Sequence, residues 1–198
     1  GTLNILKAIK EVNNCKLIFA SSSSVYGSND KTPFNENDPV NQPISPYAAS
    51  KIGAESLCHT FAKLFNISTI VLRFFTVYGP RQRPDLAIRK FMLKLLNNET
   101  ITLYGNGESS RDYTYVDDIV NGILLSMNYE PNQYDIFNLW NSYSIKLTEL
   151  IRKIEMITSI KGKIKYEKFH NADLHSTCAD ISKAKEKLGY NPYISIDD

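Results

Sequence analysis

Apolar positions along the 198-residue chain switch between a helical and an extended period, and that switching predicts alternating helices and strands. Leu3, Ile5, Leu6 and Ile9 keep helical spacing, with no capping residue before them. Lys16 to Ala20 is an apolar run of strand length that ends in Ser21, Ser22, Ser23 and Ser24. Gly27 to Gln42 is polar, carries Pro33 and Pro39, and reads as a surface loop. Ser45 and Pro46 then suit the cap and first position of a helix over 46–65, where Ala49, Ile52, Leu57, Phe61 and Leu64 form one stripe. Ser68 to Phe75 is β-branched and apolar, the pattern of a buried strand.

The second half continues the alternation. A helix is predicted over about 85–97 from Leu86, Phe91, Leu93 and Leu96, then a short strand over 101–104 ending in Gly105-Asn106-Gly107. Asp117 and Asp118 open a helix to about Asn128, and Tyr134 to Leu139 is a strand. Leu147, Leu150, Ile151, Ile154 and Ile157 return to helical period, followed by a strand over 163–166. Ile181, Ala184 and Leu188 form a last helix that Gly189 stops. Strands alternating with helices predict an α/β fold with a parallel sheet.

Composition narrows the chemistry. Lys plus Arg number 23 against 21 Asp plus Glu, so no basic field points to nucleic acid, and an anionic ligand must be held by a few placed residues. Cys15, Cys58 and Cys178 are odd in number and lack CxxC spacing, which argues against a disulfide framework and against a zinc site. They suit a reducing compartment, so a cytoplasmic location is expected. No run reaches the roughly 18 apolar residues of a membrane span.

The reactive pattern is Ser45-Pro46-Tyr47-Ala48-Ala49-Ser50-Lys51. At i and i+4 on a helix, Tyr47 and Lys51 share a face, and a nearby ammonium favours the phenolate, the form that acts as a base. The serines that close the strand at 16–20 lie where open α/β sheets place their ligands.

The ordered set of serine loop, YxxxK, Leu72-Arg73-Phe74-Phe75-Thr76-Val77-Tyr78-Gly79-Pro80, Gly105 to Tyr113 and Val116-Asp117-Asp118 resembles the extended short-chain dehydrogenase/reductases. Among these it is most similar to the NAD-dependent nucleotide-sugar epimerases typified by UDP-glucose 4-epimerase. The resemblance implies an α/β architecture made of the C-terminal part of a Rossmann-type domain and a smaller substrate-binding domain. The first would take 1–79 and about 113–142, the second about 80–112 and 143–198. No GxGxxG occurs, so the glycine-rich pyrophosphate loop is expected upstream of residue 1, and this stretch alone is expected to bind NAD poorly.

The implied roles follow residue by residue. Tyr47 removes the proton from the sugar 4-hydroxyl, Ser22, three residues before Val25, bonds that oxygen, and Lys51 also holds the nicotinamide ribose. Phe74 and Phe75 form the wall between cofactor and sugar, with Ser23 and Thr76 on the sugar. Leu86, Thr102 and Tyr104 contact the nucleotide, and Arg111 grips the diphosphate in fork geometry. His170 and Asp173 fall where relatives hold phosphate and ribose. Thr177 stands where some relatives carry tyrosine against the sugar's C2 group, and the smaller side chain implies room for an N-acetyl. Trp140 stands where relatives usually carry glycine in an N-x-G-N/S turn, which implies either a different local geometry or strain.

The implied activity is C4 epimerisation of a UDP-sugar through a 4-keto intermediate by a homodimer with bound NAD. A 4,6-dehydratase or decarboxylase branch is the enzymatic alternative, but it carries acidic residues where Ser23 and Ser24 stand. UDP-glucuronate 4-epimerases share the loop and RFFTVYGP, and an inactive nucleotide-sugar-binding homologue is the non-enzymatic alternative.

Overall fold

The computed structural model describes residues 1–12, 14–29, 31–107, 109–141, 143–168 and 178–198. The central sheet is parallel, in the order β1 (Leu17–Ser22), β2 (Thr69–Phe74), β6 (Tyr134–Leu139), with Ser22 level with Phe74 and Phe74 level with Leu139. Its buried middle strand follows from the apolar run Ile70-Val71-Leu72, all fully enclosed. α1 (Thr2–Lys10) and α2 (Pro46–Phe65) pack against each other, and α2 lies on β1.

α2 begins as its sequence dictates. The Ser45 side chain accepts the N–H of Ala48 at 3.1 Å, and Pro46 takes the first turn, where its missing donor costs nothing. A 3₁₀ turn at Ser23–Tyr26 follows β1 directly, and Gly27 ends it at φ +57°. A Cβ at Gly27 would meet the Gln42 carbonyl oxygen at 1.9 Å, so only glycine lets the surface loop return this close to the serines.

A second group of elements surrounds a separate apolar cluster of Phe91, Leu95, Ile101, Leu103, Tyr113, Ile145, Leu150, Ile151 and Ile154. It comprises α3 (Ala87–Leu96), β4 (Thr100–Tyr104) paired parallel with β8 (Lys163–Glu167), and α5 (Leu147–Thr158). β3 (Thr76–Tyr78), β5 (Ser110–Tyr115) and β7 (Ser144–Lys146) form a third small sheet. α4 (Val116–Asn128) lies on the central sheet, and α6 (Ser182–Leu188) packs on β6 before Gly189 closes it in the left-handed conformation. Among the described residues no helix is long and apolar enough to cross a membrane.

Candidate active site

α2 and the end of β1 are held together residue by residue. Lys51 Nζ donates to the Ala20 carbonyl at 2.8 Å, and one turn later Glu55 Oε1 accepts the Ser21 hydroxyl at 2.5 Å. The Lys51 ammonium lies 5.6 Å from the centre of the Tyr47 ring and 5.3 Å from that of Phe19. Tyr47 itself is 53% exposed. The helix therefore brings Tyr47 and Lys51 together at the carboxyl end of the parallel sheet. Phe19 was not singled out in the sequence, because it reads as one more apolar residue of its strand.

Ser22 caps the 3₁₀ turn: its hydroxyl accepts the Ser24 N–H at 3.2 Å and donates to Ser24 Oγ at 3.1 Å. Ser23 is half-buried at the start of that turn. Beneath the turn, Tyr26 is enclosed, and burial pushes its phenol up to about 12, so its O–H stays a donor and reaches Asn138 Oδ1 at 2.7 Å. Burial is the largest single influence on the Arg73 guanidinium and pulls it down, but the hydrogen bonds and charges of Glu55 and Tyr26 together outweigh it and keep the charge in place.

Phe74 packs half-buried against the central core, while Phe75 is buried among the rings of Tyr26, Phe34 and Trp140. Thr76 opens β3 beside Tyr113. Trp140 is 2% exposed and is absent from the positive-φ positions, so its own backbone is one that any residue can take and no strain arises at Trp140. Its ring centre lies 6.1 Å from that of Phe75.

A cavity of about 290 Å³ gathers Thr102, Tyr104 and Arg111. Ala87, Lys90 and Phe91 of α3 line it too, and Leu86 caps that helix next door. The sequence marks Phe91 only as an apolar helix position and does not single out Lys90, although Lys90 stands one turn after Leu86, where a side chain faces the same side. Arg111 Nη1 donates to the Ser110 carbonyl at 3.0 Å. The cavity thus combines two cations with aromatic walls and one carboxylate, Asp85, which is paired with Arg83 at 2.9 Å, and the surplus of cations suits a nucleotide diphosphate. His170, Asp173 and Thr177 lie outside the described residues.

The sequence pattern of the GDP-mannose 4,6 dehydratase family matches residues 1–198. The chain belongs to that family. It is 42% identical over 199 residues to the UDP-glucuronate 4-epimerase of Thermodesulfobacterium geofontis, covering 100% of this chain and 61% of that protein. Its structure superposes at a TM-score of 0.91 on the UDP-glucuronic acid 4-epimerase of Bacillus cereus in complex with UDP-glucuronic acid and NAD, at 34% identity, over 100% of this chain and 62% of the other. The UDP-glucose 4-epimerase of Thermotoga maritima with UDP-glucose also superposes at 0.91, at 33% identity, over 99% and 64%. The chain thus spans less than two thirds of the length of these relatives.

Proposed function

We propose that this chain carries the acid/base and sugar-nucleotide-holding residues of an NAD-dependent UDP-sugar 4-epimerase. The single observation that carries the reading is the Lys51 ammonium beside the exposed Tyr47 ring at the strand end that displays Ser22. The Tyr47 oxygen takes the proton of the sugar 4-hydroxyl and returns it. Ser22 bonds the same oxygen, and Arg111 with Lys90 holds the diphosphate. An exposed phenol and ammonium beside a parallel strand end fit a nicotinamide ribose, which Tyr47, Lys51 and Phe74 would hold. When bound, NAD supplies a reversible hydride acceptor with no net redox change.

Although the family's name is that of a dehydratase, Ser23 and Ser24 occupy the places where elimination needs acidic partners, which favours epimerisation. A division into 1–79 with about 113–142 and about 80–112 with 143–198 accords with two separate apolar clusters, although Ala179, Ile181, Ala184 and Tyr190 pack with the first. A cytoplasmic homodimer completes the proposal. The named relatives leave UDP-glucose and UDP-glucuronate both in view.

The test offers the intact protein NAD with UDP-glucose, UDP-glucuronate and UDP-N-acetylglucosamine separately and resolves the products by chromatography. A 4-epimer of any of them is the expected result. A 4-keto-6-deoxy or decarboxylated product would move the assignment to the neighbouring branch, and tight binding without turnover to the non-catalytic homologue. If Thr177 leaves room for an N-acetyl group, Thr177→Tyr lowers turnover of UDP-N-acetylglucosamine selectively, and unchanged turnover rules that assignment out.

A further inference from the structure

Behind the serine turn, one ion pair connects the elements that frame it. Arg73 of β2 and Glu55 of α2 are 2% and 6% exposed at their side chains. Arg73 Nε and Nη2 donate to the two Glu55 oxygens at 3.1 and 2.8 Å, a fork on a fork. Arg73 Nη1 donates to the Tyr26 hydroxyl at 3.0 Å and to the Glu36 carbonyl at 3.3 Å. Glu55 Oε1 also accepts the Ser21 hydroxyl.

Ser21 and Tyr26 bracket the stretch from Ser22 to Val25, so both ends of the serine turn are anchored to the same pair. Glu55 stands one helical turn beyond Lys51 and two beyond Tyr47, so the pair is part of the helix that carries them. Stability is a poor account of such a pair, because a buried ion pair is often no more stabilising than apolar side chains of the same volume. What fork geometry adds is a fixed register between helix and turn.

We propose that Glu55 and Arg73 are positioning residues: their ion pair sets Ser22 against the Tyr47 phenol, acting through Ser21 and Tyr26. The proposal rests on the reading of Ser22 and Tyr47 as the reacting pair. Neither Glu55 nor Arg73 is open to a ligand, so both act through their neighbours.

Ser21→Ala tests the link, since it removes one hydroxyl and leaves the ion pair whole. With the intact protein and NAD, kcat is expected to fall about 10- to 100-fold, the cost of a misplaced reacting group, while KM for the UDP-sugar changes less than about threefold. Ser21→Thr, which keeps the hydroxyl, regains most of the loss. In a Ser22→Ala background the same change costs nothing further, because the group it positions is already gone. Arg73→Lys, which keeps the charge but not the fork, shows the same kcat-selective loss.

Amide hydrogen exchange provides a readout that needs no turnover: Ser21→Ala speeds exchange over 22–26 and leaves α2 protected. Unchanged kcat with unchanged protection over 22–26 would overturn the clamp, as would losses that multiply in the Ser21→Ala, Ser22→Ala double variant. Faster exchange over 22–26 in a protein that forms no 4-epimer would uphold the clamp and sink the epimerase reading instead.

Discussion

The ammonium of Lys51 stands 5.6 Å from the centre of the Tyr47 ring while donating to the Ala20 carbonyl at 2.8 Å. A long, flexible cation is thereby fixed between the helix that carries the phenol and the strand that carries the serines. The hydrogen bond to a backbone carbonyl leaves the ammonium two further donors for a ligand.

Tyr47→Phe keeps the ring and the helix but removes the phenolic oxygen proposed to exchange the proton. Turnover is expected to fall by about 10²- to 10⁴-fold, the usual worth of a positioned acid/base group, with UDP-sugar affinity nearly unchanged. Steady-state kinetics and calorimetric binding of the UDP-sugar check it, and a variant within tenfold of the parent would remove Tyr47 from the chemistry.

Arg111 shares its cavity with Thr102 and Tyr104. Arg111→Lys retains a cation but loses the fork and is expected to weaken UDP binding about tenfold. Arg111→Ala loses both and is expected to weaken it about 100-fold, at 1.4 kcal/mol per factor of ten. Titration calorimetry with UDP reads both, and equal affinities in all three proteins would place the diphosphate elsewhere.

Glu36 is buried, with its Oε1 accepting the Asn138 N–H at 2.8 Å, and burial raises its carboxyl above the ordinary value. The folded state therefore holds this proton more tightly than the unfolded chain does. Its contribution to stability is intact below the unfolded value, about 4.3, and is lost as pH rises through the folded one. Glu36→Gln keeps the acceptor without the charge, so its stability relative to the parent should increase from pH 4 to pH 7 in urea unfolding. A relative stability that falls over that range would contradict the assignment.

Much of this arrangement is legible in the sequence. Ser45 and Pro46 announced α2, and the apolar runs announced all three strands of the central sheet, because in each case a local signal coincides with the packing. β5 was not legible. Ser110-Arg111-Asp112-Tyr113 has no clean alternation, and its partners, β3 and β7, lie more than 25 residues away on either side in sequence, so only tertiary pairing makes it a strand. The Glu55–Arg73 pair left half a signal. An arginine inside an apolar strand demands a buried partner, but nothing local says which carboxylate supplies it. Trp140 shows the converse. Glycine at this place in relatives implies a special backbone, yet Trp140 is not at positive φ and its ring centre lies 6.1 Å from that of Phe75.

The most direct measurement of the central claim follows a label. The intact protein with NAD is given a UDP-sugar substrate carrying deuterium at C4, and the 4-epimer is analysed by mass spectrometry and proton NMR. A hydride that leaves C4 and returns to its opposite face, with only the hydroxyl proton passing through Tyr47, predicts a 4-epimer that keeps its deuterium at C4. Deuterium replaced by solvent hydrogen at C4 would contradict the account.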